Sequence, residues 1–518
     1  MQKFRGIKEF AAFRRAIFLV AFAAVAAVPT QLASQSLSDP PPIRREFRGI
    51  WVATVGNIDW PSRPGLSAWE QQGELITILN RAVALNMNAI IFQIRPGADA
   101  LYLSRIEPWA EFLAGQMGVP PQPAYDPLKF AIQEAHKRGL ELHAWFNPYR
   151  ARYSGAKSDI SATHIAAQRP ELVRKYGSFL WMDPGDPAVR KRTTDVIVDV
   201  VKRYDVDGVH IDDYFYPYIE NDSQGKPIDF PDSVSWSRYL RKGGKLSRAD
   251  WRRSNVDSLV RQLYRSIKAT KPSVKFGVSP FGIWRPGHPE GIAGLDAYTE
   301  LYANSRKWLN NGWLDYIAPQ LYWHTRRTTQ SYSRLLEWWV KENTHHRHVW
   351  VGNFTSRVGT TTPDQWDAQE LLKQIQLTRA QNGATGNIHF SARAFLRDPD
   401  SVVEKLKAGP YSDVALVPAS RWLDKKVPAR PSITLNVQKE NGGTVVNLDA
   451  GKETRPWLWT VRTRFASGWT TQIVPGWVTA HYVSFRNAPA AEEVFVTAVD
   501  RNGNESPVAR ARPRGLSR

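Results

Sequence analysis

Asp205-Val206-Asp207-Gly208-Val209-His210-Ile211-Asp212-Asp213-Tyr214 is the stretch on which the fold turns. A short strand over 208–213 is entered through acidic residues and left through two more. Side chains alternate across a strand. Val209 and Ile211 are apolar and belong against helices, which sends Gly208, His210, Asp212 and Tyr214 to the opposite face. In a closed barrel that face is the interior, and the carboxyl end of the strand is the mouth.

Working outward, the same kind of strand recurs over 47–53, 89–95, 141–147, 275–279, 316–322, 349–353 and 386–391, with helix signals between. Ser67-Ala68-Trp69-Glu70 is a capping box opening a helix to about Leu85. Asp126-Pro127 and Asp186-Pro187 pair an N-cap with a first-turn proline, Gly139 stops the first of these helices, and Pro363 begins another that ends near Gly383. Eight βα units predict an α/β protein, a (β/α)8 TIM-type barrel over 45–407. The rival, an open doubly wound sheet, wants a glycine-rich phosphate turn after its first strand, and Thr54-Val55-Gly56-Asn57 is not one.

The flanks differ in character. Residues 1–36 read as an export signal: a basic start (Lys3, Arg5, Lys8, Arg14, Arg15), an apolar run over 16–28, then small residues. A proline-rich linker over 408–429 precedes short strand-like runs over 432–437, 444–448, 457–463, 471–474, 482–485 and 494–500. These predict a small β-sandwich over 430–513, and the stretch over 494–506 resembles the last strand and exit turn of fibronectin type III domains, which implies a fibronectin type III-like domain.

Composition narrows the function. Of 518 residues, 42% are hydrophobic and 23% charged, a globular balance. The absence of Cys removes disulfides, thiolate metal sites, Cys nucleophiles and lipid anchors on Cys, so a lipoprotein is excluded. The net charge is +20, and about +16 without residues 1–36. That excess favours an acidic polymer. Export and the lack of any zinc-finger, RRM or KH pattern argue against nucleic acid. A membrane enters only if the signal stays uncleaved. No metal or cofactor is expected: His345, His346 and His348 cluster at a helix end, no HExxH spacing occurs, and Ser356 and Ser391 lack a nucleophile elbow.

One parity assumption gathers the candidate site. It turns inward Gln93 and Arg95, then His143, Trp145 and Asn147, then Ala318, Gln320 and Tyr322, with Ser279 and Ser391 at other strand ends. The deeper residues, His143, His210, Gln93 and His389, can satisfy one another. Asp212 at a strand tip is the main catalytic candidate, and Asp213, of opposite parity, the second; neighbouring carboxylates split their pKa values between acid and base roles. The loop after the second strand adds Asp99, Glu107, Tyr102 and Trp109. Trp60, Trp284 and Trp323 follow strand ends and are placed to stack on sugar. The residues expected on substrate are Arg95, Asp99, Trp145, Asn147, His210, Tyr214, Trp284, Gln320, Tyr322 and Trp323.

Phe47-Arg48-Gly49-Ile50-Trp51-Val52, Gln93-Ile94-Arg95-Pro96, His143-Ala144-Trp145-Phe146-Asn147-Pro148-Tyr149-Arg150, Ser279-Pro280-Phe281-Gly282-Ile283-Trp284-Arg285 and Ala318-Pro319-Gln320-Leu321-Tyr322-Trp323, with the opening stretch, resemble the glycosyl-hydrolase-like 10 family in order along the barrel. The resemblance implies an exported, periplasmic or extracellular glycosidase, associated with cell division, that cuts peptidoglycan glycan strands stripped of stem peptides. A basic groove fits the free lactyl carboxylate of such strands. Where chitinase-type enzymes end this strand in Asp-x-Glu, Tyr214 stands in the place of the Glu, so the general acid is unassigned. The alternatives are a poly-GlcNAc exopolysaccharide hydrolase and a catalytically silent wall-glycan-binding protein.

Overall fold

A computed structural model describes residues 39–360, 365–438, 443–451, 455–484 and 491–513. The export signal expected over 1–36 and the helix start at Pro363 lie outside the described residues.

Eight parallel strands close a barrel: β1 Phe47–Val52, β2 Ala89–Arg95, β3 Glu141–Phe146, β4 Gly208–Ile211, β5 Lys275–Val278, β6 Tyr316–Ile317, β7 His348–Asn353 and β8 Ala384–His389. β8 pairs with β1 and β5 with β6, so no edge is left open. β6 is shorter than its apolar run predicts. Pro319 has no N–H to donate, and beyond it only Gln320 bridges to Phe281 and Gly352.

The helices start where the sequence places them. Ser67 and Glu70 form a reciprocal capping box on α1 Ala68–Ala84. Asp126 and Asp186 cap α2 Pro127–Lys137 and α3 Pro187–Arg203 with proline in the first turn. Alternation also holds in the packing. Ile90, Phe92, Leu142, Ala144, Val209 and Ile211 belong to the core between strands and helices, whereas Trp51, Ile91, Trp145, Tyr316 and Trp350 fill the barrel interior.

Beneath the barrel's amino-terminal end, seven strands form two antiparallel sheets that share one core, a β-sandwich. One sheet is β9 Ser432–Val437, β10 Thr444–Asp449 and β13 Ala480–Val483; the other is β12 Gly468–Pro475, β11 Leu458–Phe465, β14 Glu493–Val499 and β15 Ala509–Ala511. The sequence reading misses β15, a three-residue strand. The run expected as a linker is instead built into the barrel floor. Ala415–Leu416 pairs in parallel with Arg44–Arg45, the Tyr411 hydroxyl bonds His389 at 2.7 Å, and Trp422 Nε1 donates to Asp315 at 2.9 Å. Arg501 of the sandwich clasps Asp205 with two hydrogen bonds of 2.7 and 2.6 Å, just before β4 begins.

Candidate active site

At the mouth, the register of β3 against β4 sets Trp145 beside His210. Two residues further on, Asn147 therefore meets Asp212. Trp145 Nε1 donates to Asp212 Oδ2 at 3.0 Å, and Asn147 Nδ2 lies 3.2–3.3 Å from both carboxylate oxygens. Asp213, of opposite parity, turns toward the β6 side, where it accepts from the Tyr218 hydroxyl and from Gln320. Gln320 also donates to the Ser279 carbonyl at 3.0 Å. Both carboxyls are buried.

Burial pushes the Asp212 carboxyl up to about 7. Arg150 opposes this, the neighbouring Asp213 adds to it, and the N–H groups of Trp145 and Tyr214 oppose it. Asp213 is also raised by burial, against the donors Tyr218 and Gln320 and the charge of Arg150. The pair thus combines one carboxyl that holds its proton near neutrality with a second that is fixed by two side-chain donors.

Under this floor runs a chain of buried polar groups. Lys275 bonds Glu141 at 2.9 Å, Glu141 bonds His143 at 3.0 Å, and the Tyr316 hydroxyl bridges His143 and His210 at 2.9 and 3.1 Å. His210 Nε2 then reaches Ser279 Oγ at 3.0 Å and Trp51 Nε1 at 3.2 Å. Burial holds His210 well below the usual histidine range. His210 is fully enclosed, so it is part of the packing that supports Asp212 and has no face for substrate. His389 is satisfied separately, by Thr355 and Tyr411, whereas Gln93 Oε1 accepts from the Thr54 and Val55 N–H groups and its Nε2 has no partner among the described residues.

Other expected sugar contacts are also placed away from the mouth surface. Arg95 is sealed in a bidentate pair with Glu107, 2.7 and 2.6 Å, and donates to the Asn147 carbonyl. The register slips between Gln93 and Arg95, which breaks the alternation that would have turned Arg95 inward. Asp99 is buried against the Gly97 N–H, its carboxyl pushed up to about 7 by burial. Trp60 is fully buried against Phe92, donating to the Gln71 carbonyl, and Trp284 is sandwiched between Trp338 and Arg306. Of the three rim tryptophans only Trp323 keeps a partly open face, set edge-on to Phe281. Tyr322 stays at the mouth, packed beside Phe354 and Phe390, as does Tyr214.

Sequence reasoning did not single out Arg150, Tyr218 or Asp59. Arg150 follows an Asn-Pro turn in which Asn147 Oδ1 accepts the Arg150 N–H at 2.8 Å, a local signal that folds the arginine back over the site. Asp59 stands on the facing wall between β1 and β8. It accepts from the Ala53 N–H, the Ser391 hydroxyl and the Arg393 N–H.

The family model for glycosyl hydrolase-like 10 matches residues 46–369. Glycosyl hydrolase YngK of Bacillus subtilis is 41% identical over 406 residues, covering 77% of this chain and 78% of its own. Glycosyl hydrolase DigH of Escherichia coli K12 is 37% identical, covering 66% and 82%. The PgaB (BpsB) glycoside hydrolase domain of Bordetella bronchiseptica superimposes on 71% of this chain and 99% of its own, at 13% identity and a TM-score of 0.46. With the family's motifs lying on the carboxyl ends of the barrel strands around Asp212, this chain belongs to the glycosyl hydrolase-like 10 family.

Proposed function

We propose that the protein is an exported glycoside hydrolase that cleaves peptidoglycan glycan strands stripped of stem peptides, with Asp212 as the general acid. The observation that carries this is the pair of consecutive buried carboxyls, Asp212 and Asp213, at the end of β4. A carboxyl with a pKa near 7 holds its proton at neutral pH and can deliver it to a glycosidic oxygen.

Consecutive residues at one strand end lie on one wall of the mouth. Asp59, on the opposite wall, has its oxygens occupied by Ala53, Ser391 and Arg393. The attack from the far side of the sugar ring is therefore assigned to the N-acetyl oxygen of the substrate itself. Asp212 protonates the leaving oxygen as the C1–O bond breaks and the acetamido oxygen bonds to C1. Asp213, held as carboxylate by Tyr218 and Gln320, balances the charge that develops on the acetamido group. Water then attacks C1, forming the new C1–O bond as the bond from C1 to the acetamido oxygen breaks, and gives its proton to Asp212. Trp323, Tyr322, Tyr214 and Gln320 supply the surface on which the sugar rests.

The basic, apolar amino-terminal run supports export, and the excess positive charge supports an anionic polymer. The test incubates the chain from about Leu37 with amidase-stripped sacculi, intact sacculi and poly-GlcNAc, with Asp212→Asn as control. Fragments from stripped glycan only, lost in the variant, are expected. Saturable binding without fragments would make it a wall-glycan-binding protein, and release from poly-GlcNAc alone would make it an exopolysaccharide hydrolase.

A further inference from the structure

Arg150 is 3% exposed and lies immediately beyond β3, at the mouth. Its guanidinium stacks over the ring of Tyr214 at 4.9 Å and faces Tyr153 at 5.9 Å. Nε donates to the Pro96 carbonyl at 2.8 Å, which fixes the plane of the group. The two terminal nitrogens have no hydrogen-bond partner within the described residues, yet neither is sealed from solvent. They lie beside Tyr214, at the carboxyl end of the barrel.

A buried arginine among acidic groups ordinarily ends in an ion pair. Here Asp99, Asp212 and Asp213 are all near enough to feel its charge. None pairs with it: Asp99 accepts from the Gly97 N–H through one oxygen, Asp212 accepts from Trp145 and Asn147, and Asp213 from Tyr218 and Gln320. Arg95, by contrast, spends its fork on Glu107. Arg150 is thus a rigid guanidinium with two parallel donors held free, the geometry that matches a carboxylate.

We propose that Arg150 selects a free carboxylate on the bound sugar, its terminal nitrogens forming a bidentate pair with the lactyl carboxylate that removal of the stem peptide exposes. This rests on the glycan reading above and supplies its chemical reason: a lactyl group still in amide linkage to peptide presents no anion to the fork.

The test compares amidase-stripped strands with the same strands after their carboxyls are converted to neutral methylamides. Initial rates are measured for the wild-type chain and binding for Asp212→Asn, each with and without Arg150→Gln. The native chain is expected to prefer the charged strands about tenfold in kcat/KM and in Kd, as a charge-assisted pair provides. Arg150→Gln is expected to lose that preference, chiefly through KM. Taking the ratio between the two polymers cancels any effect of the variant on Asp212. Arg150→Lys, which keeps the charge and loses the fork, is expected to retain only part of the preference and serves if the Gln variant does not fold. Cleavage of both polymers with equal efficiency, or a preference undiminished in the variants, overturns the role of Arg150 and leaves the hydrolase reading standing. Neither binding nor cleavage of either polymer overturns both.

Discussion

Trp145 Nε1 points at Asp212 Oδ2 across 3.0 Å, so the residue that walls the barrel interior also donates to the carboxyl at the mouth. A donor to the anion lowers a pKa; burial and Asp213 raise it. Activity that depends on protonated Asp212 is full well below about 7, half-maximal near that value and lost as pH rises above it. Trp145→Phe removes the donor and moves this alkaline limb upward, by roughly 1 pH unit. Asp212→Asn is nearly isosteric and is expected to lose about 10²–10⁴-fold in kcat with its melting temperature little changed. Rates across pH 5–9 check both, and an unmoved limb in the Trp145 variant would separate the limb from Asp212.

Asp99 carries a stability signature of opposite sense to most carboxylates. Its folded pKa, about 7, lies above the unfolded value, so the protonated form is favoured by folding. That contribution is present below about pH 4 and lost as pH rises through about 7. Asp99→Asn can keep the bond from the Gly97 N–H and carries no charge. The variant is expected to gain on the native chain between pH 5 and pH 8, by up to a few kcal/mol. Urea unfolding at the two pH values gives the difference.

Trp60 and Trp323 belong to different problems. Trp60→Ala opens a cavity in the core beside Phe92 and is expected to cost about 3–5 kcal/mol of stability. Trp323→Ala trims a partly open ring and is expected to weaken glycan binding with little loss of stability. Thermal melts and glycan affinity, measured on both variants, distinguish the roles; a Trp323 variant with native affinity would return that ring to packing.

Cutting the chain after Lys407 removes the floor of the barrel. His389, Asp315 and His348 lose Tyr411, Trp422 and Ser420, and Arg48 loses the Asp413 carbonyl. Each orphaned buried group costs about 1–3 kcal/mol, together about 4–12 kcal/mol, which is comparable with the whole stability of an ordinary domain. Residues 37–407 are expected to be insoluble, and residues 37–429 to fold with a lowered melting temperature. Circular dichroism of the two truncations decides the matter.

The barrel and the meeting of Asn147 with Asp212 were legible because both follow from alternation on regular strands. Asn147 lies two residues past Trp145 and Asp212 two past His210, and the register keeps them level. Legibility stopped where regularity did. The slip between Gln93 and Arg95 turned an expected sugar contact into a support for the loop, bonded to Glu107. Tyr218 reaches Asp213 from an irregular loop with no period to read. Trp60 lies in a turn folded back so that Asp59 meets the Ala53 N–H, and that turn carries its ring into the core instead of the rim.

The clasp of Arg501 on Asp205 fixes the sandwich at the end of the barrel away from Asp212. Capture of the chain through its C-terminal domain, on a bead, a sensor chip or a fused carrier protein, therefore leaves the mouth of the barrel unobstructed. The same chain can be held by one end and fed polymer at the other.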